Sequence, residues 1–503
     1  MPYLLRLKPK NPLNMSLSVP GLGYLNDKTL KHVVFKMQLD SLSRGPSSPT
    51  HKVSAESEKI VVQYSSKPDL TASLSDELLL RIFSKLPDCQ RKSNSLVCKR
   101  WLNLHGRLVH SVKLLDWDFL ISGRLLSRFP NLTDVNLVAA CIDSPRRSGI
   151  LLTHKLLSVH LDSVLPNGGF IPEENLLPPE SIDRGLQVLA QGCPNLRKLV
   201  LIAATETGLS SVAEECPTLQ ELELHRCTDF LLRGISSCKN LQILKLIGTV
   251  DGLYNSVISD IGLTFLAHGC KRLVKLELRG CEGSYDGIKA IGQCCPMLEE
   301  LTLCDHRLDG GWMAALSFCG NLKTLRLQSC KRIDPIPGPA EHLGSLPSLE
   351  RLHLQRCQLR EQQSMKSLFL VCEAVREIVF QDCWGLDNEM FSFANHCRRV
   401  KFLSLEGCSL LTTDGLESEI LSCNELQRLR VVTCNNIKDS EVTPALSSLF
   451  SVLKELKWRP DSQSLLSSGL AGSGVGKKGG KICKRLNHSS TGNSTTQHAL
   501  EHI

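Results

Sequence analysis

The stretch CKRLVKLELRGC, Cys270 to Cys281, carries the pattern that decides the fold. Counting Cys270 as position zero, leucines stand at positions +3, +6 and +8, and a second cysteine stands at position +11. The Leu-x-Leu spacing has a period of two, which predicts a short strand with both leucines on one side. Because a unit this short cannot bury its apolar side alone, we expect copies of it to stack.

The same pattern recurs along most of the chain. Clear copies begin at Cys193, Cys216, Cys238, Cys270, Cys295, Cys319, Leu346, Cys372, Cys397, Cys423 and Phe450, and weaker copies begin at Gly106, Phe129 and Thr153. These make about fourteen units, and their usual period, in the low-to-mid twenties, is typical of leucine-rich repeats. The sequence therefore predicts an α/β solenoid with short parallel strands inside and helices outside.

Cysteine is unusually frequent, with 22 in 503 residues. Nine cysteines stand at position zero, and those at position +11 are Cys227, Cys281, Cys330, Cys357, Cys383, Cys408 and Cys434. The sequence contains no C-x-x-C pair of the kind that binds zinc, and its first residues do not resemble an export signal. We therefore predict buried structural thiols that donate to turn carbonyls, with neither disulfides nor a metal site.

Charge and hydropathy limit the possible partners. The net charge of +8 is small for 503 residues, and most of the excess lies in the two tails. The repeat region is nearly balanced, which argues against a nucleic-acid groove along it. No apolar run approaches the roughly 20 residues that a membrane helix needs. A basic cluster at Lys477, Lys478, Lys481, Lys484 and Arg485 is either a nuclear-import signal or a solvated charge run.

A separate helix is predicted before the repeats, in LSDELLLRIFSKLP, Leu74 to Pro87. Ser75 is a suitable N-cap, Asp76 and Glu77 complement the helix dipole, and Pro87 ends the helix. The apolar residues from Leu78 to Leu86 cover an arc of roughly 200°, wider than one core needs. This helix therefore packs on two sides within the chain, or one of its sides meets a partner.

The stretch LSDELLLRIFSKLPDCQRKSNSLVCKRWLNL resembles an F-box, with Ser75 where the motif usually has proline. With the repeats that follow, the chain resembles plant members of the leucine-rich-repeat F-box family. The resemblance implies a non-catalytic substrate receptor of an SCF-type ubiquitin ligase, bound through a Skp-type adaptor to a cullin. The docking surface that it implies comprises Leu74, Leu78, Leu79, Ile82, Phe83, Leu86, Pro87, Val97 and Trp101.

Two alternatives to this function remain open. The helices could merely cap the open end of the solenoid in an interaction scaffold, and Leu80 and Trp101 are candidates for capping. The chain could also resemble the hormone-type F-box receptors, with inserts near residues 165–180 and 247–260 as the roof of a ligand pocket. No cluster of basic residues in the sequence requires a phosphate-rich cofactor, so we predict no cofactor.

A protein substrate would meet the residues between and just after the paired leucines. These positions carry both signs of charge, which suits a protein or peptide better than nucleic acid. The residues selected for substrate binding are Arg279, Arg326, Arg356 and Arg430. The alternative for each of them is an ordinary solvated position.

Four regions are predicted from these features. A disordered basic arm covers residues 1–68, the F-box covers 69–113, the solenoid covers 106–460 and a flexible basic tail covers 461–503. The sequence contains no convincing nucleophile, metal or nucleotide motif, so the chain is not expected to be an enzyme. We place it inside the cell, in the nucleus, the cytoplasm or both.

Overall fold

The sheet of the solenoid has fourteen strands in the computed structural model. The structure describes residues 70–87, 90–142, 150–152, 176–248, 258–334, 336 and 338–461. The predicted arm, almost all of the tail with its basic cluster, and residues 153–175 of the unit beginning at Thr153 lie outside these residues. No helix in the described ranges is long and apolar enough to span a bilayer.

The strands follow the repeat positions predicted from the leucines. They are β1 (Ser111–Leu114), β2 (Asp134–Asn136), β3 (Ile150–Leu152), β4 (Lys198–Ile202), β5 (Glu221–His225), β6 (Ile243–Ile247), β7 (Lys275–Arg279), β8 (Glu282–Gly283), β9 (Glu300–Cys304), β10 (Arg307–Leu308), β11 (Thr324–Gln328), β12 (Arg351–Gln355), β13 (Glu377–Gln381), β14 (Phe402–Glu406), β15 (Arg428–Val432) and β16 (Glu455–Arg459). The order in the large sheet is β16-β15-β14-β13-β12-β11-β9-β7-β6-β5-β4-β2-β1-β3, and β8 pairs with β10 in a separate two-stranded sheet.

The helices lie between the strands and before the first of them. They are α1 (Asp76–Lys85), α2 (Arg91–Ser95), α3 (Lys99–Arg107), α4 (Trp117–Ile121), α5 (Arg124–Arg128), α6 (Pro179–Gly192), α7 (Glu206–Glu215), α8 (Asp229–Ile235), α9 (Asp260–Gly269), α10 (Tyr285–Cys294), α11 (Trp312–Ala315), α12 (Gln362–Val371), α13 (Asn388–Ser392), α14 (Thr413–Ile420) and α15 (Pro444–Val452). Short 3-10 helices cover Leu70–Ser73, Leu316–Phe318, Ala340–His342, Phe393–His396 and Asp439–Glu441.

Equivalent leucines of successive units stand side by side in the sheet. Leu276 pairs with Leu301, Leu301 with Leu325, and Leu325 with Leu352 in the parallel register, and all four are fully buried. One apolar core therefore runs along the array, as stacking of identical units requires. The predicted solenoid of parallel strands with accompanying helices is confirmed.

The start of the array differs from the prediction in two ways. Strand β2 pairs directly with β4, whereas the sequence predicts a strand between them, in residues outside the described ranges; thirteen of the fourteen strands run parallel. Strand β3 is antiparallel to β1 at the end of the sheet. It covers the outer edge of β1, whose backbone groups would otherwise face solvent unpaired.

Most repeats turn sharply at position +10, directly after the strand. Arg226, Asp305, Ser329, Arg356 and Asp382 have φ between 42° and 57° there. The amide of each donates to the carbonyl that ends the next strand, as from Arg356 to Gln381 at 2.8 Å. This turn brings the position +11 side chain back toward the core, where cysteine is small enough to fit.

Hydrogen bonds join neighbouring helices at their N-termini. The Asp260 carboxylate accepts hydrogen bonds from the Ser284 amide at 2.7 Å, the Ser284 hydroxyl at 2.7 Å and the Gly287 amide at 3.0 Å. A Cβ on Gly287 would lie 2.4 Å from an Asp260 oxygen, so only glycine allows this approach. Asp229 forms the same contact with Ser259, at 2.8 Å to its amide.

Candidate functional site

Helix α1 begins and ends as its sequence predicts. The Ser75 hydroxyl accepts a hydrogen bond from the Leu78 amide at 3.3 Å, and Asp76 and Glu77 occupy the first turn. At the other end, Leu86 is extended, with ψ of 145°, because the following Pro87 disfavours a helical backbone. These caps fix where α1 begins and ends.

The inner side of α1 packs on helix α3. Leu79 and Phe83 are 2% and 1% exposed and form a small core with Leu104. The Phe83 ring lies 4.6 Å from the Trp101 ring and 4.3 Å from the His105 ring, measured between centroids. Leu79 and Phe83, which the resemblance places on the docking surface, are therefore buried in this chain, because α3 covers them.

The outer side of α1 is open. Leu78 and Ile82 are 49% and 46% exposed, and they lie one turn apart on the same face. Two further apolar residues, Leu96 and Val97, are 69% and 61% exposed in the turn between α2 and α3. This turn separates α2 from α3.

Leu96 is the residue that the sequence analysis missed. Leu96 directly precedes Val97 in the sequence, and only Val97 was included in the docking surface. The adjacent apolar pair could have indicated both residues. Of the other residues selected for docking, Leu74, Leu86 and Trp101 are half-buried against the core of these helices, whereas Pro87 is exposed. Leu80 is half-buried there too.

Arg100 ties α3 to the segment before α1. Its guanidinium donates to the Asp76 carboxylate at 2.9 Å and to the carbonyls of Thr71 and Leu74. The Trp101 indole donates to the Thr71 hydroxyl at 3.4 Å. These contacts hold α1 and α3 as one unit and leave the face of Leu78 and Ile82 outward.

The same unit packs on the first repeat. The Arg128 guanidinium on α5 donates to the Leu102 carbonyl. The side-chain amide of Asn131 donates to the Arg107 carbonyl at 2.8 Å. A Cβ on Gly106 would lie 2.2 Å from the Arg128 carbonyl oxygen, so α3 and α5 approach very closely. Helix α3 therefore joins the solenoid, whereas the outer side of α1 faces away from α3.

Comparison with known proteins identifies the helical unit. Residues 72–104 match the model of the F-box domain. This chain carries an F-box. F-box/LRR-repeat protein 4 of Bos taurus is 27% identical over 197 residues, which are 37% of this chain and 31% of the bovine protein. The match thus spans less than a third of the bovine protein's length.

Two solved structures resemble the repeat array. An internalin of Listeria monocytogenes has a TM-score of 0.32 and 14% identity, covering 60% of this chain and 94% of the internalin. A leucine-rich-repeat protein of Leptospira interrogans has a TM-score of 0.30 and 20% identity, covering 58% of this chain and 75% of its own. Both scores are low, so the fold assignment rests on the strand order and register of this chain.

The repeats behind the F-box carry ion pairs on the exposed side of their strands. Arg326 donates to Glu300 at 3.0 Å and contacts a His353 ring nitrogen at 2.8 Å. His353 in turn lies 3.0 Å from Glu377, and this hydrogen bond lowers the pKa of the Glu377 carboxyl. Each partner comes from a neighbouring strand, so the pairs run across the repeats.

The other arginines selected for substrate binding differ in their surroundings. Arg430 pairs with Glu406 at 2.9 Å, and Arg279 lies 3.7 Å from Glu277. Arg356 occupies an exposed left-handed turn. A substrate that used Arg279, Arg326 or Arg430 would have to compete with these carboxylates, whereas Arg356 lies in the open.

The cysteines of the repeats lie where the pattern predicts. Cys330 at position +11 donates to the Leu303 carbonyl of the preceding unit at 3.5 Å, and Cys357 donates to Leu327 at 3.3 Å. A cysteine at position zero does the same, as Cys216 does to Cys193 at 3.4 Å. These three thiols thus link their repeats to the ones before them, whereas Cys227 and Cys281 donate to carbonyls of their own repeat.

Burial keeps these thiols protonated. It raises the pKa of Cys216, Cys295 and Cys319 to about 12. The twenty cysteines within the described ranges are all free thiols. In the same part of the chain, no three His, Cys, Asp or Glu side chains lie close enough to hold a metal ion.

Proposed function

We propose that this chain is the substrate-binding subunit of an SCF-type ubiquitin ligase. Its F-box docks on a Skp-type adaptor, which joins it to a cullin, and its repeats bind a protein substrate. One observation carries the proposal: α1 buries Leu79 and Phe83 but leaves Leu78 and Ile82 half-exposed within a matched F-box. The homology to F-box/LRR-repeat protein 4 supports the same combination of domains.

The docking surface that we propose consists of Leu78, Ile82, Leu96 and Val97, with exposed Pro87 beside Leu86. Full burial of a large apolar side chain contributes about 1.5–3 kcal/mol, so two half-exposed residues contribute roughly half of that each. The four most exposed residues together supply several kcal/mol before association costs are subtracted. That is enough to make them the dominant contacts of a small helical interface.

The chain itself performs no chemistry in this proposal. It holds a substrate near the ubiquitin-transferring subunits, which raises the effective concentration of a substrate lysine there. Ubiquitination of the substrate and its degradation would follow from this proximity. Placement in the nucleus or cytoplasm, and membership of the plant group, remain predictions from the sequence.

A pull-down of the Skp-type adaptor tests the proposal. We expect the double variant L78D/I82D to lose the adaptor, since two carboxylates cannot be buried unpaired. The control F230D/I261D places the same change on two exposed apolar residues of α8 and α9, and it should retain the adaptor. Full recovery of the adaptor by L78D/I82D, with its helices still folded by circular dichroism, contradicts adaptor docking.

The second candidate is an interaction scaffold in which the helices cap the solenoid. The close approach of α3 to α5 at Gly106 favours a capping contribution. In that case neither wild type nor control recovers any adaptor, whereas removal of residues 1–107 exposes the first repeats to rapid amide exchange. The hormone-type alternative rests on inserts that lie mostly outside the described residues.

A further inference from the structure

The last strand of the large sheet has an open edge. Strand β16 pairs with β15 on one side, and no described strand pairs with its other side. At the opposite end of the sheet, by contrast, β3 covers the edge of β1. An open edge is a row of unpaired amide and carbonyl groups, which can pair with a strand of another chain.

The backbone of β16 presents two residues to this edge. The Glu455 amide and the Arg459 carbonyl form hydrogen bonds of 3.3 and 2.9 Å with residues at the two ends of β15. In a parallel ladder every second residue makes both of its hydrogen bonds to the same neighbouring strand. The amides and carbonyls of Leu456 and Trp458, at the alternate positions, therefore point toward the open edge. None of these four groups bonds to a described residue.

The same end of the solenoid leaves part of its core uncovered. Leu426 and Leu429 of the preceding repeat are 8% and 1% exposed. Their equivalents Leu453 and Leu456 are only half-buried, because no described repeat follows them, and Val452 on α15 is 74% exposed. The last repeat of a solenoid usually needs a polar outer face. We refer to the open edge of β16 together with the apolar residues beside it as the terminal face; these residues are Leu449, Phe450, Val452, Leu453 and Leu456.

The side of β16 that faces away from the core carries charges of both signs. Glu455, Lys457 and Arg459 are exposed, and none of them forms an ion pair with a described residue. On the two preceding strands, by contrast, Arg430 is already paired with Glu406 at 2.9 Å. Because an antiparallel copy of β16 reverses the order of these charges, Glu455 of one copy would stand opposite Arg459 of the other. By two-fold symmetry this ion pair would form twice.

We propose that the terminal face binds a second copy of this chain, with the two β16 strands antiparallel and centred on Lys457. In this register Leu456 of each copy exchanges two hydrogen bonds with Trp458 of the other, so all four open backbone groups of each copy are paired. The ion pairs between Glu455 and Arg459 add to this contact. Lys457 meets its own copy, and this like-charge contact is the cost of the register.

The neighbouring registers fit less well. A pairing centred on Leu456 would require the Lys454 amide for the Trp458 carbonyl, but that amide already donates to the Gln427 carbonyl at 2.8 Å. A pairing centred on Trp458 would place Lys457 opposite Arg459 and would lose both ion pairs. A shift by a single residue would turn the open groups of one strand away from those of the other.

The dimer joins the two fourteen-stranded sheets into one, with both α15 helices on the same side of it. The apolar residues of the two terminal faces approach each other there, which removes their surface from water. The inference goes beyond the proposed function, since two F-boxes would stand at the far ends of one array. Its test needs neither adaptor nor substrate, so its failure is separate from failure of adaptor docking.

Analytical ultracentrifugation of the full chain over a dilution series tests the proposal. We expect the wild-type chain to change from dimer to monomer on dilution. R459E places two negative charges opposite each other at both ion pairs and should weaken dimerisation at least about tenfold. E455R/R459E restores the pairs with exchanged signs and should recover most of the affinity. The control R398E reverses an exposed arginine before β14, outside the terminal face, and should dimerise like wild type.

A cysteine cross-link tests the register. Lys457 would face its own copy in a non-hydrogen-bonded pair, whose Cα atoms lie about 4.5 Å apart, within the range of a disulfide. We therefore expect K457C to form an intermolecular disulfide on mild oxidation with diamide. The control E455C lies on the same side of β16 but about 13 Å along the strand from its own copy, so it should not cross-link. Mass spectrometry of the linked peptides identifies which cysteines have joined.

Three results would overturn the proposal. The first is a wild-type chain that stays monomeric throughout the series, as when another segment or another protein covers the terminal face. The second is equal dimerisation of wild type and R459E, with R459E folded by circular dichroism, which would place the contact elsewhere. The third is equal disulfide formation by K457C and E455C, which would exclude an antiparallel register centred on Lys457.

Discussion

At the scale of single residues, the turn that follows each strand explains why cysteine occupies position +11. The left-handed residue at position +10 turns the chain, and the next side chain enters a space bounded by two strand ends. A thiol fits there and donates to carbonyls at 3.3–3.5 Å, as Cys357 does to Leu327 and Gln355. Leucine would be too large for this space, and serine would bury a more polar group.

The burial of these thiols predicts their reactivity. With a pKa of about 12, Cys216 and Cys319 exist as thiolate in roughly 10⁻⁵ of molecules at neutral pH. We expect maleimide to label exposed Cys98 within minutes and to leave these two unlabelled in the native protein. Peptide mass spectrometry of native and urea-unfolded samples checks this, and rapid native labelling of Cys319 would contradict it.

Truncation of the adjacent residues Ile82 and Phe83 of α1 should lower stability by very different amounts. Phe83→Ala removes a ring that packs on Trp101 and His105 and should cost about 3–5 kcal/mol, enough to unfold the F-box helices. Ile82→Ala removes a half-exposed side chain and should change the free energy of unfolding by less than about 1 kcal/mol. Amide exchange of α1 measures both changes. Equal protection of α1 in the two variants would contradict the assignment of Phe83 to the core and of Ile82 to the surface.

At the scale of elements, the stacking of helices depends on an aspartate and a glycine from successive repeats. Asp260 caps α10, and Gly287 leaves the space that its carboxylate occupies. Helix propensity alone favours alanine over glycine by about 1 kcal/mol. Here the tertiary contact reverses that preference, because an added methyl group would overlap an oxygen.

This contact leads to a test with a cycle of variants. We expect Gly287→Ala to lower the free energy of unfolding by about 1–3 kcal/mol, and Gly320→Ala, with no atom near its Cβ, by less than about 0.5 kcal/mol. In the background of Asp260→Ala the Gly287→Ala change should cost less, because the overlapping carboxylate is gone. Urea unfolding measures the four proteins of the cycle and Gly320→Ala, and equal costs in both backgrounds would exclude the overlap with Asp260 as the cause.

At the scale of the whole molecule, each repeat is stabilised by its contacts with the neighbouring repeats. Within the fourteen-stranded sheet, every strand from β5 to β15 is hydrogen-bonded on both sides, whereas β16 pairs only with β15 at the end of the sheet. An array of this kind opens from its ends, because a terminal unit loses one interface and an internal unit loses two.

Hydrogen exchange can detect this gradient. We expect amides of β9 and β11 to exchange the most slowly and those of β16 to exchange much faster, while β1 is slowed by the F-box helices and β3. Exchange followed by mass spectrometry on the full chain, at a dilution where it is monomeric, gives these rates directly. Uniform protection from β1 to β16 would indicate a single cooperative unit instead.

The sequence by itself determined the repeat, the register of its strands and the limits of α1. These follow from local patterns: Leu276 and Leu278 alternate within one strand, and Ser75 and Pro87 act on residues next to them. It also determined the place of the cysteines within each repeat, because position +11 always follows the strand and its turn.

Only the tertiary structure decided which side of α1 is free and which arginines are unpaired. The apolar arc of α1 contains Phe83 and Ile82 alike, and α3, some twenty residues later, selects the one to bury. Likewise Arg326 is neutralised by Glu300 of the preceding repeat, whereas Arg332 has no described partner. Such contacts join residues of separate units, and their geometry exists only once the units have stacked.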